Sequence, residues 1–140
     1  MDTAVCFEKG LLRREKPDPA KADKSLEIAR HKLTLVKKLM SSGIYEEAVT
    51  MAYAAMFHAA RALLFRDGVA EKSHFAVYVY VSEIYGQKLE KRLIHQFNEL
   101  RVDRHAINYG LDILPIDCED AGATFAAAKE FVDAVTKLCK

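Results

Sequence analysis

Along most of the chain, apolar residues recur at the three- and four-residue spacing of helices buried on one face. Ala22, Leu26, Ala29, Leu33, Val36 and Met40 predict a first long helix over about 22–40, with Lys24, Glu27, Arg30, Lys37 and Lys38 on its other faces. Ser41-Ser42-Gly43 then supplies a stop, glycine being able to take the left-handed conformation that caps a helix. A second helix is expected from about Tyr45 to Arg66, ended by Asp67-Gly68. From Ala48 to Phe65 it is apolar nearly all round, the pattern of a helix covered by neighbours on most sides. Its alanines permit close approach, and Tyr53, Met56 and Phe57 fill the spaces between. After Gly86, Leu89, Leu93, Phe97 and Leu100 carry another helix from about Lys88 to a stop at Gly110. Leu111 to Ile116, with Pro115, reads as a loop. Asp117 is placed to cap the last helix, whose inward stripe is Ala121, Phe125, Ala128, Val132, Val135 and Cys139.

Two stretches do not follow this pattern. Val77-Tyr78-Val79-Tyr80-Val81 has the β-branched and aromatic composition of a strand, but no other stretch offers a partner, so a short helix behind Ser73 is expected instead. The first nineteen residues turn basic at Arg13-Arg14 and break at Pro17-Asp18-Pro19, which predicts an N-terminal arm (1–19) uncoupled from the domain at 20–140. The expected fold is all-α: an antiparallel up-and-down four-helix bundle with one additional short helix.

Composition adds little chemistry. With 51% hydrophobic residues and only three prolines, the chain reads as one compact helical domain. A net charge of +1 gives no global field for nucleic acid, leaving only a local patch. Cys6, Cys118 and Cys139 are too widely spaced for a zinc or dithiol motif, and no metal or other cofactor is expected. No apolar run has the length or flanks of a membrane span or an export signal, so a cytoplasmic location is expected.

The chemistry concentrates at Glu99–Gly110. The core stripe Leu93, Phe97, Leu100 leads next to Arg104, with Arg101 and Asn108 on either side of it and His105 further round. A guanidinium on an apolar stripe must meet an acid, a ligand phosphate or a cleft. Asp103 and Glu99 are the nearest candidate acids. The alternative is a site in which Arg101 and Arg104 hold a phosphodiester and His105 moves a proton. His58, among alanines and aromatics, reads as a hydrogen-bonded core residue. His74 begins the short helix, where it either belongs to a capping turn or stands beside donors for an anion. His31 and His95 read as exposed.

The order of Ser41-Ser42-Gly43-Ile44-Tyr45-Glu46-Glu47-Ala48, the Ala52–Leu64 run, Lys72-Ser73-His74 and Leu100-Arg101 through Asn108-Tyr109 resembles the HEPN domain family, over roughly Ser25 to Phe131. That resemblance implies an antiparallel four-helix bundle with an extra short helix, and a homodimer with a shared cleft. Many such proteins are metal-independent ribonucleases, and small prokaryotic ones accompany a minimal nucleotidyltransferase as toxin and antitoxin. The nucleotidyltransferase can modify a tyrosine beside the motif. Arg104 matches the family's arginine and His105 its polar neighbour, while Tyr109 stands where the motif histidine is expected. Asn108-Tyr109 resembles the close of a subgroup's motif. The expected function is therefore a homodimeric nucleotide- or RNA-binding component of a HEPN-nucleotidyltransferase toxin-antitoxin system. Arg101, Arg104, Asn108 and Tyr109 are its expected ligand-binding residues. The alternative is an endoribonuclease acting through Arg104 and His105.

Overall fold

A computed structural model describes residues 1–140. In chain order it holds α1 (Thr3–Glu8), β1 (Leu12–Arg14), α2 (Pro19–Ser41), α3 (Tyr45–Asp67), β2 (Val69–Glu71), α4 (His74–Ile84), α5 (Lys91–Tyr109) and α6 (Cys118–Leu138). The long helices α2, α3, α5 and α6 form the expected bundle, and α4 is its short addition. Helix α3 is central, packed by α2, α4, α5 and α6. It is also the one helix long and apolar enough to cross a membrane, and most of its apolar face is spent on the core. Aromatic rings cross that core from α3 to α6: Tyr53 stacks on Phe97 at 5.7 Å and Phe97 on Phe131 at 5.0 Å.

The β-branched run Val77–Val81 is helical, as tertiary context demanded. Ser73 Oγ accepts from the Ala76 amide at 3.0 Å to start α4, and Ala76, Val77, Val79, Tyr80 and Val81 are all buried. Burying that face outweighs a propensity difference of a few tenths of a kcal/mol per residue. At the other end of the bundle, Asp117 and Asp120 form a reciprocal capping box at the start of α6. Helix α5 begins at Lys91 rather than at the expected Lys88. The Lys88 and Leu89 amides close a turn on the Tyr85 carbonyl instead.

The N-terminal residues depart most from expectation. They do not form an uncoupled arm: Cys6 and Leu12 are fully buried, and β1 pairs antiparallel with β2 in the register Leu12↔Glu71, Arg14↔Val69. Nor do the prolines break the chain. Pro19 occupies the first turn of α2, where its missing donor costs nothing, and the Asp18 carboxylate caps that turn from the Lys21 amide at 3.0 Å. Arg13 and Arg14 do stay exposed, Arg14 lying over the Phe7 ring at 4.6 Å.

Gly68 is the hinge of this docking. Its φ of +77° ends α3 in the left-handed region, and a Cβ there would meet the Glu15 carbonyl at 2.5 Å. Its own carbonyl accepts from the Glu15 amide at 2.9 Å. Gly68→Ala is expected to cost about 1–2 kcal/mol from the backbone alone. The steric clash should also release residues 1–16, seen as new protease cleavage and faster amide exchange in that segment while the bundle stays protected.

Candidate anion-binding site

The floor of the site is laid by α3. Tyr53 and Phe57 lie one turn apart on the face that meets α4 and α5, their rings 6.1 Å from centre to centre. From the first turn of α4, His74 stacks on Phe57 at 4.0 Å, and its Nδ1 is 2.8 Å from the Tyr53 hydroxyl. The beginning of α4 is fixed by the Ser73 cap, so this ring has little freedom. Tyr53 itself is 1% exposed, and burial raises its pKa above the ordinary phenol range. It keeps its proton at neutral pH, and its hydroxyl shares a hydrogen bond with His74 Nδ1 in which the tautomer of the imidazole decides which of the two donates.

Above this floor, α5 brings two guanidiniums. Arg104 lies over the Tyr53 ring at 5.3 Å and Arg101 over Phe75 at 5.2 Å. Arg101 is held by a neutral amide, donating to Asn98 Oδ1 from Nε at 3.1 Å and from Nη2 at 3.0 Å. Arg104 has no carboxylate within ion-pairing distance, and its Nε is buried without a hydrogen-bond partner. The internal salt bridge considered above is absent. Glu99 pairs instead with His95 at 3.0 Å, and Asp103 lines a 380 Å³ cavity with Val49, Ile107 and Asp120 on another face of α5. The Asp103 carboxyl titrates above the usual range through burial and the Glu99 charge, so no nearby cation stabilises its ionised form. A third guanidinium, Arg61, borders the floor and is matched by Glu71 at 2.5 Å.

Electrostatically, then, two half-buried cations meet over an aromatic floor with no anion to balance them. Their effect is visible on His74, whose pKa falls to about 4, first through burial and then through the Arg104, Arg101 and Arg61 charges. Guanidiniums whose counter-charge must come from outside suit a phosphate group in both charge and hydrogen-bond geometry.

The expected site residues separate into two groups. Arg101 and Arg104 converge on the floor. His105, Asn108 and Tyr109 are exposed, and the His105 ring sits 5.0 Å from that of Tyr109. Adjacent residues on a helix point about 100° apart, and here Arg104 lies over Tyr53 while His105 faces solvent. Tyr53, Phe57, His74 and Phe75 complete the site and were not assigned to it from the sequence. Of these only His74 carried a signal, its place at a helix start. His58 differs from the hydrogen-bonded core histidine expected of it: it is half-buried, its Nδ1 has no partner, and burial followed by Arg61 and Lys32 lowers its pKa. No three His, Cys, Asp or Glu side chains come together in a group that could hold a metal ion.

Comparison with known proteins agrees with this arrangement of helices. Residues 22–138 match the family model described as HEPN domain. Over 121 residues the chain is 33% identical to a Methanocaldococcus jannaschii protein named "Putative toxin MJ0605", a match covering 82% of this chain and 86% of that protein. With nearly all of the bundle inside the family match, α5 and its arginines included, the chain belongs to the HEPN domain family.

Proposed function

We propose that this protein is a cytoplasmic, toxin-type HEPN protein that binds RNA, or a nucleotide, through its phosphates at Arg101 and Arg104. The observation that carries the reading is Arg104: a half-buried guanidinium with an unpartnered Nε and no acid within reach. Burying a cation without a partner costs several kcal/mol unless a counter-charge arrives, and a phosphodiester brings that charge in the geometry a guanidinium fork accepts. The toxin description rests on the Methanocaldococcus jannaschii relative's name, and a nucleotidyltransferase partner rests on the family resemblance. Tyr109 is 67% exposed, as a tyrosine that a partner enzyme modifies must be. Asn108, one turn beyond Arg104, would meet the ligand's outer groups, while Tyr109 lies with His105 on the adjoining exposed face.

The working unit in this reading is a homodimer. Just past the end of the helix that carries the arginines, Leu111 is fully exposed and Ile113 is 90% exposed, following an exposed Tyr109. So much apolar surface at one end of a small domain marks a contact face. Leu111→Asp with Ile113→Asp is expected to convert a dimer to a monomer at micromolar concentration in sedimentation equilibrium, without change in thermal stability of the fold. A wild-type monomer at that concentration would remove the shared cleft.

The test of function is incubation of the purified protein with labelled RNA in chelator. Retained, intact RNA supports the binding reading, and absence of binding overturns it. Cleavage lost in both Arg104→Ala and His105→Ala would replace it with the alternative, a metal-independent endoribonuclease. The outward direction of His105 favours binding.

A further inference from the structure

The α4–α5 groove continues away from Arg101. Helix α4 runs back along α5, so that Phe75 faces Arg101 and Tyr78, one turn later, stands 6.2 Å from Phe75. Beyond Tyr78 the groove opens into a cavity of about 290 Å³ lined by Tyr78, Ser82, Gln87, Lys91, Ile94 and His95. On α5, His95 lies six residues before Arg101, or about 9 Å along the axis. Asn98 fills the turn between them, its amide holding Arg101 at 3.0 Å. One ribose-phosphate unit with its base spans that separation.

We infer that this cavity is a nucleobase subsite: it takes the base adjoining the phosphate held by Arg101 and Arg104, stacked against Tyr78. This rests on the phosphate-binding reading above and extends it to the substrate's next group. The chemistry of the lining fits a base better than a second phosphate. Tyr78 offers a ring face, Ile94 an apolar wall, and the Ser82 hydroxyl and Gln87 amide both donate and accept, as the edge of a base requires. The one fixed cation, Lys91, is exposed at the end of the groove, where the backbone would leave, and His95 is engaged by Glu99. The aromatic pair Phe75 and Tyr78 thus connects the phosphate site to the cavity without a break. Of the other cavities, the 380 Å³ one opens beside Asp103 and Asp120, and a 410 Å³ groove between α5 and α6 is edged by Glu90, Glu130 and Asp133, whose carboxylates already engage the Arg92 and Arg30 guanidiniums.

The experiment compares a labelled RNA trinucleotide with its counterpart lacking bases, by fluorescence anisotropy at fixed salt. Wild-type protein should bind the base-bearing strand about tenfold more tightly, the effect of one base stacked on an aromatic ring. Tyr78→Ala should remove that difference and leave binding of the abasic strand unchanged, while Tyr78→Phe should keep it. A trinucleotide carrying 4-thiouridine, irradiated on the wild-type chain, gives a readout that no variant's folding can affect, and its crosslinks should map to the peptides holding Tyr78 or His95. Equal affinity for the two strands, or crosslinks confined elsewhere, overturns the subsite. If neither strand's binding depends on Arg101 and Arg104, the phosphate reading fails first and the subsite with it.

Discussion

Arg104→Ala should weaken RNA binding by one to two orders of magnitude while leaving the fold as stable as before, or more so. A hydrogen bond to a charged group is worth about 1.5–3 kcal/mol, so the net loss of one such bond from the guanidinium over Tyr53 to a phosphate corresponds to about one to two orders of magnitude. On stability the same substitution removes a cation that burial penalises and that no carboxylate repays, as its orphaned Nε records. A residue whose loss leaves the chain at least as stable while weakening binding is kept for function. Arg104→Lys separates charge from geometry: the ammonium keeps the attraction and loses the fork, and should recover only part of the affinity. Isothermal titration with a short RNA gives the first quantity and denaturant unfolding the second. A clear loss of stability in Arg104→Ala, with RNA affinity unchanged, would make Arg104 a structural residue and remove the site.

Why the arginines were legible in the sequence, and their surroundings were not, follows from where each sits. Leu93, Phe97 and Leu100 define a stripe, and a guanidinium at its next position is an inconsistency that periodicity alone exposes. Tyr53 and Phe57 raise no such flag. They lie in an apolar run whose every residue is expected to be buried, and only the approach of α4 shows that one side of that pair is a floor. His105, next to Arg104 in sequence, is exposed on another side of the helix, as a turn of about 100° per residue dictates. The β1–β2 ribbon escaped notice because three-residue strands are too short to show alternation, and Pro17-Asp18-Pro19 carries the same residues whether it breaks a chain or starts a helix. The four long helices were readable because each repeats its pattern over nineteen residues or more.

His74 makes the site measurable by pH. In the free chain its pKa is about 4 against an ordinary 6.5, chiefly because burial and then the Arg104 and Arg101 charges disfavour the imidazolium. Between these values the unfolded chain binds a proton that the folded chain refuses, so stability is complete above about pH 6.5 and declines as pH falls toward 4. Each pKa unit corresponds to ~1.4 kcal/mol. Solvent at the edge of the half-buried ring screens part of that, and the expected loss is about 1–2 kcal/mol. His58, whose pKa is also lowered, adds to the decline in the same direction. His74→Gln should flatten the pH dependence of the urea midpoint between pH 6.5 and 4. Beyond burial, Arg104 is the first of the charges that lower the His74 pKa, and a phosphate seated on it offsets that charge, so the NMR titration midpoint should rise when RNA is added, and rise likewise in Arg104→Ala without RNA. A midpoint near 6.5 in the free wild-type chain, unmoved by either change, would mean that the imidazole does not share its environment with the arginines.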